Sequence, residues 1–525
     1  LAVVAATEIW MLGFLGAWGH PMYPVTSILP VLIVAIAVAD SIHLLAKYYE
    51  ARLQLPHADV KELVAVTMRE MGPPVFMTSI TTAVGFLSMT SSPLIPLFDF
   101  AIVMAFGIGA AFVLTLAIIP GVLVLLPARG ARWNPRESVG PSDGGLLTKL
   151  LASAATLSSR RPHTVLTLAV LFTACGVGGL TQLTSDSSMA GQFPPHHHLR
   201  LADEIANQHF AGGTTLELII DTGDKDGVKD PELLQGMDDF QAGMEEMALV
   251  GDTFSLAELV KKMNRVMNGD RPDAERIPDS RELVAQYLLL YSMSGDPGDF
   301  DDLVDYDYRR AHLTVFIKDS STKWARRVTE KARTLLDETL KPGSGRTVDV
   351  RFAGRAYTNT RLEGYVNSSQ ISTIFIAAPA LVLICWLMFG RLALGLLAVT
   401  PVAIAIVGIY GAMGYISLPT DIATSLLGGM ALGIGIDFAI HYLHKYMSCR
   451  RRGMEADDAA ALTAVTAGRA LFFNATVLVG GFIVLLGARF YPQMKLGALV
   501  SVTMVICYLA TMYIFPAALR SIKLR

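Results

Sequence analysis

Long apolar runs broken by short charged connections dominate this chain. A membrane-spanning helix needs about 20 mostly apolar residues. Ten runs approach or exceed that: 1–18, 27–46, 75–92, 98–126, 164–183, 371–389, 392–415, 422–443, 470–487 and 496–519. They fall as four, then one, then a polar block at 184–366, then five. Ten such runs cannot all be hidden in a soluble core. The pattern predicts an α-helical polytopic membrane protein with one large domain outside the bilayer.

The apolar pattern is also doubled. Gly16-Ala17-Trp18-Gly19 and Pro24 recur 395 positions later as Gly411-Ala412-Met413-Gly414 and Pro419. Gly85-Phe86 and Pro120 recur 396 positions later as Gly481-Phe482 and Pro516. Residues 1–125 and 397–521 therefore read as an internal repeat, and repeats fix architecture before anything else is read. Residues 161–391 hold a helix, the polar domain and a second helix. By symmetry a complete protein is expected to carry a matching block before Leu1, giving an expected twelve helices and two outer domains. Leu1 is not methionine and opens inside an apolar run, so we read the chain as N-terminally truncated.

Lysine and arginine placement sets the expected orientation. One set of connections holds Lys47, Arg52, Lys61 and Arg69, then Arg129, Arg132, Arg136, Lys149, Arg160 and Arg161. The same set continues with Arg391, Lys445, Arg450, Arg451, Arg452 and Arg469, and ends on Arg520, Lys523 and Arg525. The alternate connections hold Arg489 and Lys495. The first set is expected in the cytoplasm and 184–366 outside. The expected organisation is a first-repeat bundle (1–126), a cytoplasmic linker (127–163), one helix (164–183), an extracytoplasmic domain (184–366) and a second-repeat bundle (367–525).

Composition adds little beyond this. The chain of 525 residues is 52% hydrophobic and 17% charged, with a net charge of −3. That balance gives no reason to expect nucleic acid as a partner. None of the four cysteines (Cys175, Cys385, Cys449, Cys507) lies in 184–366, so that block is no disulfide scaffold.

In the polar block, Thr214–Asp221 has a β pattern. Asp230-Pro231-Glu232 opens a helix to about Met247, with Asp as N-cap and Pro in the first turn. A second unit follows as strand Ala311–Ile317, helix Lys323–Leu340 and strand Thr347–Ala353. Two such β-α-β units predict an α+β, ferredoxin-like domain. Phe254–Met267 and Arg281–Ser294 read as an inserted helical pair, and 356–370 as helix leading into the next span. His196-His197-His198 reads as a flexible polar turn rather than a metal site, since adjacent histidines cannot all face one ion. The acidic cluster Asp296, Asp299, Asp301, Asp302, Asp305 and Asp307 lacks EF-hand spacing and reads as solvated or capping. Phe210-Ala211-Gly212-Gly213 reads as a tight entry to the strand.

The candidate chemistry lies inside the bundle. Asp40 and His43 sit three residues apart in one repeat, Asp437 and His441 four apart in the other, and both spacings share a helix face. A carboxylate in the hydrocarbon region costs at least roughly 2.5–3.5 kcal/mol, so two at matching positions read as functional. A carboxyl group stripped of water favours its neutral form until water or a cation approaches. Such a group can take a proton from one side and release it to the other. Gly429 and Gly433 form a small-residue face that admits a neighbouring backbone, and Gly435 is a third candidate packing glycine. Gly433-x-Gly435 is no nucleotide motif, because no strand precedes it. Thr81, Thr82 and Asn474 are candidate hydrogen-bonding partners of the aspartates. Thr78, Ser79 and Thr476 are weaker ones, with bonds to local backbone as the alternative for all of them. Glu8 has Ala403 as its repeat counterpart and stands outside the symmetric set. Asp99 and Lys495 begin the last helix of each half and read as interfacial anchors.

At these residues the chain resembles the RND superfamily, in particular its MMPL-like and hopanoid-transporter-like exporters. Asp40 and the Gly433-Ile434-Gly435-Ile436-Asp437-Phe438 run resemble that family's proton-relay positions. Where mycobacterial-type members follow each aspartate with tyrosine, Ser41 and Phe438 stand here. The resemblance implies a secondary active transporter rather than an enzyme, with protons as the coupling ion and no other cofactor. It implies export of lipid-like or hydrophobic molecules through an outer porter domain. It also implies contact with membrane lipids, a homo-oligomer as one possible assembly, and a bacterial inner membrane location. Sterol-sensing proteins share the five-helix unit, so a lipid sensor or receptor that moves nothing is the alternative.

Overall fold

A computed structural model describes residues 1–125, 146–186, 188, 190–294, 302–340 and 348–521. Arg129, Arg132, Arg136, Asp296, Asp299, Asp301, Lys523 and Arg525 lie outside the described residues. The chain runs α1 (Ala2–Trp18), α2 (Leu29–Gln54), α3 (Val60–Leu87), α4 (Ile95–Leu125), α5 (Leu146–Arg160) and α6 (Pro162–Leu180). It continues with α7 (His198–His209), β1 (Thr214–Asp221), α8 (Pro231–Glu245), β2 (Val250–Phe254), α9 (Leu256–Met267) and α10 (Arg281–Ser294). Then come β3 (Arg310–Ile317), α11 (Thr322–Thr339), β4 (Asp349–Ala353), α12 (Gly354–Phe389), α13 (Leu392–Tyr415), α14 (Ile422–Arg451), α15 (Ala456–Ile483) and α16 (Tyr491–Ser521). Two compact units result: Leu1–Thr184 with Tyr365–Arg525, and Ser185–Gly364.

The first unit is helical, and its chain is that of a multi-pass membrane protein. Among the described residues, eight helices are long and apolar enough to cross a bilayer. Two of the ten expected spans fall short of that. Ala2–Trp18 has 17 residues. The run 75–92 lies in α3, whose apolar stretch is diluted by Pro73, Pro74, Thr78, Ser79, Thr81 and Thr82. Part of the segment expected to be a linker is instead helix α5. Its Leu151, Ala154, Ala155 and Ser158 are buried, and it packs against α15 and α16. The bounds of α3, of the 3-10 turn Ser88–Ser91 and of α4 all recur 396 residues later, as α15, the 3-10 turn Val484–Gly487 and α16. The packing is exchanged between halves: α3 lies on α14, and α15 lies on α2.

The second unit is built on a four-stranded antiparallel sheet with spatial order β2-β3-β1-β4. Helix α8 connects β1 to β2 and α11 connects β3 to β4, with α9 and α10 inserted between β2 and β3. Leu216, Leu218 and Ile220 of β1, with Leu313, Val315 and Ile317 of β3, form one buried face over Leu234, Met237 and Phe240 of α8. The period-2 pattern explains that face. Asp230 caps α8, its Oδ1 accepting from the Glu232 N–H at 3.0 Å. Gly212 has φ +121°, and any Cβ there would meet Ile317 backbone, so a glycine is required at the entry to β1. Strand β2 was not legible in the sequence. It is a five-residue edge strand whose Val250-Gly251-Asp252 segment carries a bulge. Of the histidine run, His196 lies in a turn as expected, while His197 is the N-cap of α7 and stacks on Phe193 at 4.6 Å. Asp305 has the capping role, accepting the Arg309 and Arg310 N–H groups at 2.7 and 2.9 Å.

Asp221 ends β1 and accepts from Arg309 Nε, Arg310 Nε and the Gly223 N–H, each at 2.9 Å. Those bonds, the arginines' first, hold its carboxyl well below the usual aspartate range. A carboxyl depressed in the folded state stabilises above its unfolded value, near pH 3.9, and loses that contribution as pH falls through the folded value. Both arginines are about half exposed, so the contribution is limited to about 1 kcal/mol. Asp221→Asn should lower the unfolding midpoint of the second unit at neutral pH and converge with the unmodified protein in strong acid. Thermal unfolding followed at a series of pH values checks this.

Candidate functional site

The exchanged packing brings the two repeats' polar residues together. Asp40 and His43 on α2 are buried, as is His441 on α14, and Asp437 on α14 is half-buried. The His43 and His441 rings stack with centroids 4.0 Å apart and planes 19° from parallel. Asp40 and Asp437 lie close enough to interact electrostatically. Thr82 on α3 donates its hydroxyl to the Gly433 carbonyl at 2.9 Å, with Asp437 Oδ1 at 3.4 Å. His43 Nε2 is buried with no hydrogen-bond partner among the described residues.

Close backbone contact makes this possible. A methyl group on Gly85 would lie 2.5 Å from the Gly433 Cα and 2.7 Å from its nitrogen. Only glycine permits α3 and α14 to touch there, and that contact sets Thr82 beside Asp437. Gly481, 396 residues later, faces α2 less closely, a Cβ there lying 3.3 Å from the Ala35 side chain rather than against backbone. A Cβ at Gly429 would clash with Met89, and one at Gly435 would lie 2.9 Å from Cys507 Sγ.

Among the described residues, the other candidates make no hydrogen bond to the carboxylates. Thr81 bonds the Met77 and Thr78 carbonyls at 2.9 and 3.0 Å, and Thr78 and Ser79 bond Val75. Thr476 bonds the Phe472 carbonyl at 2.8 Å. Asn474 is buried on α15, its side-chain oxygen without a partner among the described residues. Glu8 is half-buried on α1. Asp99 and Lys495 are internal pairs rather than interfacial anchors. His20 Nδ1 lies 2.7 Å from Asp99 Oδ2, and Lys495 pairs with Asp421, the N-cap of α14. At Lys495 and Asp421 an uncompensated charge would be costly, so each needs the other.

One signal in the sequence was passed over. His43-Leu44-Leu45-Ala46-Lys47-Tyr48 returns 398 residues later as His441-Tyr442-Leu443-His444-Lys445-Tyr446. The shared His-x-Leu-x-Lys-Tyr register marks both stacked histidines and a lysine one turn beyond each. Elsewhere in the membrane unit, Phe375, Pro379, Val382 and Trp386 of α12, with Leu392 and Leu396 of α13, line an apolar groove of about 620 Å³. Among the described residues no cluster of three or more metal-ligating side chains occurs.

These features define a multi-pass membrane protein with paired Asp–His sets packed among its helices. The model of the MMPL family matches residues 202–522, and that of the Patched SSD matches residues 1–125. The chain belongs to the MMPL family. It is 22% identical to the membrane protein MJ1562 of Methanocaldococcus jannaschii over 71% of this chain and 94% of that one. It is 26% identical to the trehalose monomycolate exporter MmpL3 of Mycolicibacterium smegmatis, over 30% of this chain but only 15% of the exporter. A solved structure of the hedgehog release protein Disp from the water bear Hypsibius dujardini shares the fold, with TM-score 0.68 and 13% identity. That likeness covers 99% of this chain and 66% of Disp.

Two substitutions test the packing. Gly85→Ala should lower stability by about 1–3 kcal/mol, because backbone cannot yield as a side chain can. Gly109→Ala is the control, since a methyl there meets nothing within 4 Å. Lys495→Met should cost about 3–5 kcal/mol by leaving Asp421 buried and unpaired. Thermal unfolding of the purified protein in detergent checks all three.

Proposed function

We propose that this protein is a proton-motive-force-driven exporter of lipid-like or other hydrophobic molecules. Asp40 and Asp437 gain and lose the coupling protons, Thr82 bonds Asp437, and His43 and His441 carry protons onward. Thr81 and Asn474 are second-line candidates in the relay. The observation that carries this reading is the meeting of the two repeats' Asp–His pairs, with rings in contact and acids within electrostatic reach. Nothing in packing requires four ionisable groups there, and the expense of placing them in a bilayer argues for use. Each proton moved down 100 mV supplies about 2.3 kcal/mol, enough to bias a two-state rocking equilibrium by nearly fifty-fold.

The recurrence of α3 and α4 as α15 and α16 supports a gene-duplicated bundle in which the halves rock against each other. The β2-β3-β1-β4 order, read from its other edge as 4-1-3-2 with two crossing helices, supports a ferredoxin-like porter domain. We place that domain outside the cytoplasm of a bacterial plasma membrane, on the lysine and arginine distribution. The apolar groove on α12 and α13, and the lipid named for the exporters among its relatives, support a hydrophobic cargo.

The match of residues 1–125 to the Patched SSD favours one second reading, a lipid sensor that moves nothing. Reconstituted full-length protein separates the two. An exporter should show lipid efflux that depends on a pH gradient. Efflux should fall to background in Asp40→Asn and in Asp437→Asn. In Thr82→Val it should fall by no more than about fivefold, the scale of one long hydrogen bond. A sensor would bind lipid equally in every variant and transport none.

A further inference from the structure

One turn beyond the stacked imidazoles, four charged side chains from three helices meet. Lys47 Nζ on α2 lies 2.6 Å from Glu70 Oε2 on α3 and 3.2 Å from Glu50 Oε2 on its own helix. Lys445 Nζ on α14 lies 3.4 Å from Glu50 Oε1. Gln54 donates its amide to the same oxygen at 3.3 Å. His444, half-buried, and Arg451 share this field from α14. Lys47 and Lys445 are the lysines of the repeated His-x-Leu-x-Lys-Tyr register, each four residues past a stacked histidine and on its face. The acids are not repeated: Ser448 and Thr466 stand where the second half would carry partners of Glu50 and Glu70. A single carboxylate, Glu50, therefore serves both lysines and ties α2 to α14.

We propose that Glu50 is a positioning residue of the coupling site. By clasping Lys47 and Lys445 it holds the two repeats together just beyond the His43–His441 stack and closes the lysine-bearing mouth of the carboxylate site. The unequal bonding fixes how that mouth opens. Lys47 keeps Glu70 when Glu50 moves, whereas Lys445 has Glu50 alone as its ion-pair partner in the described structure. Lys445 is thus the side chain released when the halves part, and water then reaches His43 and His441. The role assigned to Glu50 rests on reading Asp40 and Asp437 as the coupling site. The clasp itself is tested without any transport.

The experiment uses the full chain in membrane vesicles of known orientation, with Cys175→Ser and a reporter His43→Cys. A membrane-impermeant thiol reagent is applied to either face, and the same protein with His43 intact sets the background. Glu50→Gln and Lys445→Gln should each speed labelling from the lysine-bearing face by about fivefold or more, the scale of one partly buried ion pair. The double variant Glu50→Gln with Lys445→Gln should label no faster than the faster of the two singles, since both remove the same ion pair. Unchanged rates in both single variants, a double variant in which the two accelerations multiply, or equal acceleration from both faces would overturn the proposal. Labelling follows water access, not cargo, so its outcome is independent of the efflux result.

Discussion

A carboxyl group inside a bilayer has no water to lean on, so neighbouring helices must supply its partners. At Asp437 the membrane unit meets that need. Asp437 takes a hydroxyl from Thr82 of the other repeat. Both repeats' histidines bring their rings together beside the acids. The hydroxyl that reaches Asp437 thus comes from the opposite half of the unit.

Glycine makes the exchange physically possible. Thr82 reaches α14 because Gly85 lets α3 touch the Gly433 backbone. Packing in membranes gains little from hydrophobicity, since lipid tails are as apolar as leucine, and depends on close approach and polar bonds. Here both coincide at one place. Further from the centre, ionic contacts replace small residues. Asp421 and Lys495 join α14 to α16, and Glu50 joins α2 to α14. The membrane unit is thus closely packed at Gly85 and Gly433 and fastened by charge towards both ends of α14.

Much of this was legible in the sequence. Long apolar runs, the doubled Gly and Pro anchors, and strands with strict alternation were visible because each reflects a local rule. Asp40, His43, Asp437 and His441 were visible because ionisable groups are costly in apolar segments. What escaped depended on contacts between distant segments. Thr81 and Thr82 are adjacent and chemically alike, and only the facing of α3 against α14 separates the one that bonds its own helix from the one that reaches Asp437. Asp99 and Lys495 looked like anchors until His20 and Asp421 were seen beside them. Helix α5 was hidden among polar and small residues, and β2 was too short and irregular to show a period.

The central claim is that the paired acids change protonation inside the membrane. Infrared spectroscopy of the full chain in lipid tests it most directly, by following the stretching band of the protonated carboxylic acid as pH is varied. The account predicts a protonated-carboxyl signal that titrates reversibly and is diminished in Asp40→Asn and in Asp437→Asn. A spectrum in which neither substitution alters that signal, with both aspartates ionised throughout, would contradict it.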